Sequence, residues 1–145
     1  MDRQARRDAG STESSEASVR TGRVGVLVVD DSPVFRRGMS RAVRLCAGLE
    51  LIGEAEGGEA ALDAIERLRP DVVLLDLRMP DIDGLEVLER MRDVVPAPRC
   101  RVLLVSASLD EDIERIALAA GAAGCVSKGT ARADICAAAL RVAHG

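Results

Sequence analysis

VGVLVVDDSP, residues 24–33, decides how the rest of the chain is read. A short valine-rich run with no polar residue suits a strand covered on both faces. Two aspartates stop it. Ser32 then precedes Pro33, the order expected of an N-cap and a first helical residue. The helix that follows is expected to turn Val34, Phe35, Gly38, Met39, Ala42 and Leu45 toward one side. The unit is therefore a strand, an acidic end and a capped helix.

The remaining sequence repeats that unit. LELIGEA (49–55) reads as a second strand, and EAALDAIERL (59–68) as a helix ended by Pro70. VVLLD (72–76) is the third strand and GLEVLERMRDV (84–94) the third helix. VLLVS (102–106) makes a fourth strand, and DEDIERIALAA (110–120) a helix with acidic residues in its first turn. GCVS (124–127) is a short fifth strand, and ARADICAAALRVA (131–143) the last helix. The implied fold is α/β: a flavodoxin-like (βα)5 doubly wound parallel sheet with right-handed crossovers, for which the strand order 2-1-3-4-5 is assumed. Residues 1–22 mix charge with Ser, Thr and Gly and are expected to form a disordered N-terminal tail, leaving 23–145 as one domain.

Composition narrows the function classes. With 48% apolar residues in 145, the chain can bury a real core, and that core is aliphatic because Phe35 is the only aromatic. Platforms for stacking bases or sugars are nearly excluded. A net charge of −4 without a basic block argues against direct nucleic-acid binding by these residues. There is no apolar run of spanning length and no signal-peptide core, so a cytoplasmic location and no membrane partner are expected. Cys46, Cys100, Cys125 and Cys136 show no C-x-x-C pair, and His144 is the only histidine, which argues against zinc. Reduced, mostly buried thiols are expected.

In a parallel sheet of this kind, functional groups collect beyond the carboxyl ends of the strands. Strand one ends in Asp30-Asp31, strand three in Asp76, strand four in Ser106 and strand five in Ser127-Lys128. In the order 2-1-3-4-5 these ends share one rim. Two carboxylates about 5 Å apart repel by roughly 3 kcal/mol at an effective dielectric near 20, so the rim calls for a proton or a cation. Oxygen-only ligands with room for water suit Mg²⁺. A metal, a carboxylate nucleophile, a hydroxyl and an ammonium together are equipment for moving a phosphoryl group. Asp76, alone on the central strand, is assigned as phosphoacceptor, and Asp30 and Asp31 as metal ligands. The loop LRMPDIDG (77–84) lets a backbone carbonyl near Arg78 turn inward as another ligand. Any one of these aspartates could be a plain loop or cap residue; the constellation on adjacent strands carries the inference.

VLVVDDSP (26–33), DVVLLDLRMPDIDGLEVL (71–88), VLLVSAS (102–108) and GAAGCVSKG (121–129) resemble the receiver domain of two-component response regulators. Thirty residues from Asp76 to Ser106 and twenty-two from Ser106 to Lys128 agree with that family's spacing. DDSPVFRRGM and the region around VSKGT are similar to the subgroup whose receivers precede a helix-turn-helix DNA-binding domain. The resemblance implies that Asp76 accepts a phosphoryl group from a histidine kinase. It also implies that Asp30, Asp31, Asp76 and the Arg78 carbonyl hold Mg²⁺, and that Ser106 and Lys128 bind phosphoryl oxygens. The added charge would then switch the surface of helix four, strand five and helix five, with phosphorylation-dependent homodimerisation as one outcome. On this reading the chain is a signalling phosphoacceptor and not an enzyme, assisting only its own phosphorylation and dephosphorylation.

One position departs from the pattern. The family usually carries an aromatic three residues before the lysine, and here that switch position is Cys125. The usual aromatic rotamer switch cannot operate with it, and a redox role for Cys125 is the minority reading beside an inert strand thiol. Arg36, Arg37, Arg41 and Arg44 give the first helix a basic side, read as a solvated face with kinase docking as the lesser alternative. Ile113, Ile116, Ala117 and Leu140 are expected in the core.

Rival readings fare worse. A haloacid-dehalogenase-like phosphatase needs a general acid two residues after the nucleophile, where Arg78 stands. A nucleotide or flavin protein needs a glycine-rich phosphate loop or a stacking aromatic, and neither is present. Two outputs stay open: control of transcription through a DNA-binding half beyond Gly145, and a stand-alone receiver acting through protein contacts.

Overall fold

A computed structural model describes residues 22–94 and 100–145. Most of the expected tail lies outside the described residues. The elements are β1 (Val24–Val29), α1 (Pro33–Leu45), β2 (Leu49–Ala55), α2 (Gly58–Leu68), β3 (Val72–Asp76), α3 (Gly84–Val94), β4 (Arg101–Ser106), α4 (Glu111–Ala120), β5 (Gly124–Ser127) and α5 (Arg132–His144). The five strands run parallel in the order β2-β1-β3-β4-β5. This is the assumed 2-1-3-4-5 order.

Alternation along the strands divides the core into two layers. Val26, Val28, Leu74, Leu103 and Val105 meet Met39, Val43, Ile135 and Ala139 of α1 and α5. Leu27, Val29, Val73, Leu75, Val102 and Leu104 meet α2, α3 and α4 through Ala61, Ile65, Val87, Leu88 and Ala117. β1, β3 and nearly all of β4 are buried along their whole length, as valine-rich strands covered on both faces require.

Local chemistry sets the helix starts. The Ser32 hydroxyl accepts from Phe35 N–H ahead of Pro33, and the Asp110 carboxylate accepts from Ile113 N–H. α2 differs, because Gly57 at its N-cap has no side chain to accept with. Both carboxylate oxygens of Asp81, from the loop after β3, instead accept from Gly58 and Glu59 N–H at 3.0 and 2.9 Å. The β1–β2 ladder also slips: Val26 faces Leu51 but Leu27 faces Gly53, so Ile52 bulges from the edge strand.

Some apolar expectations fail. Val34 and Leu45 are 74% and 75% exposed, because α1 buries the stripe of Met39, Ser40 and Val43 and these two lie off it. Ile116 is also exposed, at 49%, although Ala117 beside it is buried and Ile113 packs partly against the core. Of the four cysteines only Cys136 is fully buried. Among the described residues no helix is long and apolar enough to cross a membrane.

Candidate functional site

The rim is assembled by strand register. Asp76 faces Val105 across the β3–β4 ladder, which sets Ser106 one residue beyond it, and Ser106 pairs in turn with Ser127. Lys128 N–H donates to the Ser106 carbonyl at 2.9 Å, so the lysine leaves β5 at a fixed height. Asp30 follows β1 directly, its N–H donating to Ala55 at 3.1 Å and its Oδ1 accepting from Ser32 N–H at 2.8 Å. Arg36 clamps the same corner, donating to the Asp30 carbonyl at 2.7 Å while pairing with Glu54.

Behind Asp76 the chain has no spare room. Gly84 N–H donates to the Leu77 carbonyl at 2.7 Å, and a Cβ on Gly84 would fall 2.6 Å from the Asp76 carbonyl oxygen. Glycine is needed there because α3 starts flush against the peptide of Asp76.

Carboxylate oxygens of Asp30, Asp31 and Asp76 all lie within 4.8 Å of one another. Asp30 and Asp76 are buried and Asp31 is exposed. Lys128 Nζ lies 2.7 Å from Asp30 Oδ2 and 3.3 Å from Asp76 Oδ1. The first contact is the shorter, so the buried Asp30 Oδ2 has the ammonium as its close partner. Three carboxylates and one ammonium leave two negative charges in one cleft. An all-oxygen donor set of three carboxylates with that residual charge fits a hard divalent cation such as Mg²⁺.

Electrostatics follow the geometry. Burial pushes the Asp76 carboxyl up to about 6; the Asp30 charge adds to the rise, and Lys128 partly opposes it. Burial works against the Lys128 ammonium, but Asp30 and Asp76 outweigh it and hold the group above its ordinary value.

The rim thus brings together Asp30, Asp31, Asp76, Ser106 and Lys128. The Ser106 hydroxyl is buried and accepts from Ser108 N–H at 3.1 Å, and the Arg78 side chain donates outward to the Ser108 hydroxyl at 3.2 Å. Cys125 stands apart. It packs against the α2–α4 layer, and burial, with Glu114 nearby, pushes its thiol up. That opposes a reactive thiolate.

A known family has this arrangement, and its pattern, the response regulator receiver domain, matches residues 26–140. The chain belongs to that family. It is the receiver domain of a two-component response regulator. Among similar proteins, the probable transcriptional regulatory protein NarL of Mycobacterium tuberculosis (strain ATCC 25618 / H37Rv) is 44% identical over 124 residues, covering 85% of this chain and 56% of that protein. Response regulator GacA of Pseudomonas syringae pv. syringae (strain B728a) is 38% identical over 112 residues, covering 77% and 51%. The solved signal receiver domain of the putative response regulator NarL from M. tuberculosis superposes with a TM-score of 0.78 at 42% identity, covering 85% of this chain and 98% of that one. The receiver therefore spans about half the length of these curated relatives.

Sequence reasoning missed two contacts at this rim. Phe35 carries the Lys128 ammonium 4.6 Å from its ring centroid, and Arg132 reaches the same ring at 4.4 Å. The only signal was that the chain's single aromatic follows the acidic pair so closely. The second is Asp81, whose cap on α2 joins residues more than twenty positions apart and leaves no local pattern.

Proposed function

We propose that this receiver takes a phosphoryl group from the phosphohistidine of a histidine kinase onto Asp76. The observation that carries this reading is a buried carboxylate raised to about 6 with an ammonium 3.3 Å away and a second buried aspartate beside it. At neutral pH Asp76 is largely ionised and can attack. The Asp76 oxygen–phosphorus bond forms as the phosphorus–nitrogen bond of the donor breaks, and the imidazole leaves with the electron pair. Lys128, poised between two carboxylates, turns toward a phosphoryl oxygen as charge arrives. The Ser106 hydroxyl, one residue past Asp76's ladder partner, donates to another once it leaves Ser108 N–H. Ala107 beside it is small and exposed, which keeps the approach open.

Asp30, Asp31 and Asp76, with the Arg78 carbonyl, would hold Mg²⁺, which when bound supplies positive charge for the phosphoryl oxygens. The phosphoryl group then changes the charge facing α4, β5 and α5, and the response passes to an output partner or a second copy. Likeness to NarL and GacA favours transcription as that output, exerted through a segment other than these residues; a stand-alone receiver working by protein contacts is the second reading.

Incubation with Mg²⁺ and a small-molecule phosphodonor should add the mass of one phosphoryl group. Asp76→Asn should abolish the addition and a chelator should slow it strongly. Equal labelling of Asp76→Asn would overturn the assignment.

A further inference from the structure

Phe35 is the single aromatic in a chain whose core is otherwise aliphatic, and it packs partly buried against the α1–α5 layer. What a ring adds is a negative face. Two cations use it: Lys128 Nζ at 4.6 Å and the Arg132 guanidinium carbon at 4.4 Å, both well inside the range of about 6 Å in which such attraction acts. Lys128 belongs to the rim. Arg132 opens α5.

Arg132 has little else to hold it. Although it is half-buried, its side chain makes no ion pair or hydrogen bond among the described residues. Its guanidinium lies over α1 at Gly38, where a Cβ would stand 3.4 Å from Nη2 and any larger side chain would displace it. Phe35 and Gly38, three residues apart on one face of α1, form a notch that seats the first residue of α5.

We infer that Phe35 is a positioning residue for phosphoryl transfer: its ring holds the Lys128 ammonium against the rim and also meets Arg132, linking the lysine's position to the start of α5. This rests on the reading of Asp76 and Lys128 given above. Two cations drawing on one ring weaken each other's hold, through mutual repulsion and through competition for the same electron density. When a phosphoryl oxygen draws Lys128 away, the ring is left to Arg132, and α5 seats more firmly on α1. The coupling is reciprocal, so removing Arg132 strengthens the ring's grip on Lys128. Such a route supplies a mechanical connection on the α1–α5 side of the sheet. Cys125, at the usual aromatic switch position, lies on the opposite layer and cannot supply one.

The test compares Phe35→Leu, which keeps bulk without a ring face, with Phe35→Tyr, which keeps the ring. Uptake from a small phosphodonor with Mg²⁺ is followed by mass, alongside thermal melting. Phe35→Leu should label about three- to fivefold more slowly at an unchanged Tm, and Phe35→Tyr should return to within about twofold of the wild type. A filler role predicts the reverse, with Leu tolerated and any loss tracking Tm. Because the chain has one aromatic, the ring resonances of Phe35 in NMR spectra need no assignment. They should shift when Mg²⁺ and beryllofluoride, a phosphoryl mimic, are added to the wild type, and Arg132→Ala should change the size of that shift. Equal labelling rates in wild type and Phe35→Leu, or ring resonances indifferent to the mimic, overturn this inference alone. A wild type that takes up no phosphoryl group overturns the reading of Asp76 and this one with it.

Discussion

Lys128 stands nearer to Asp30 than to the residue it would serve: Nζ is 2.7 Å from Asp30 Oδ2, and 3.3 Å separates it from Asp76. In this structure the lysine neutralises Asp30 and only leans toward Asp76. A compact ammonium on a flexible stem can change partners within that space, whereas a planar guanidinium one atom longer cannot. Lys128→Arg should therefore fold normally yet label with phosphodonor at least about tenfold more slowly. Wild-type kinetics in that variant, measured by mass, would show that charge alone suffices.

Asp76 is held at a cost. Its folded value of about 6 lies above the ordinary 3.8, so the folded state binds a proton more readily than the unfolded chain does. Stability from this group is present at low pH and lost as pH rises through about 6. In metal-free buffer Asp76→Asn should stabilise the domain by about 1–2 kcal/mol at pH 8, after allowance for solvent screening, and the gain should vanish toward pH 4. Urea unfolding of both proteins across that window gives the comparison. A gain that grew toward acid would contradict the burial argument.

Divalent cations should act on the same balance. At Mg²⁺ ten times its dissociation constant, the wild type should gain about 1.4 kcal/mol, seen as a raised Tm. Asp30→Asn, which removes the charge of one buried carboxylate of the cluster, should lose most of that gain while keeping its fold. If Mg²⁺ raised both melting temperatures equally, the ion would be binding elsewhere.

Asp81 makes a separate acid-sensitive contribution. Hydrogen bonds from Glu59 and Gly58 N–H hold its carboxyl down at about 2. A lowered value means stabilisation that is complete above about pH 4 and is lost as pH falls through about 2. Asp81→Ala should cost about 1 kcal/mol at pH 7, the usual worth of an N-cap. The gap between the two proteins should close as the solution is acidified. Chemical unfolding at pH 7, 4 and 2.5 would show it, and a gap that stayed constant would point to packing rather than capping.

Most of the architecture was legible because its causes are local. Valine runs covered on both faces, the Ser32-Pro33 helix start and the apolar spacing of the helices each act within a few residues of themselves. Strand order then carried Asp30, Asp31, Asp76, Ser106 and Lys128 to one rim without reference to side-chain detail. What escaped depends on distant approach. Asp81 caps a helix that begins twenty-three positions earlier, and the ring of Phe35 meets cations from β5 and α5. The exposure of Val34 and Leu45 was hidden for a related reason: apolar spacing suggests a face, but neighbouring helices decide how wide a stripe is covered.

The slip in the β1–β2 ladder has an effect beyond the domain itself. Ile52 breaks the regular rim of one outer strand, and the other outer strand, β5, is four residues long. Neither border offers a long, even row of backbone donors and acceptors onto which a foreign strand could zip. Among the described residues, both margins of the sheet are therefore poorly suited to extension by a foreign strand, which disfavours fibrous aggregation by that route.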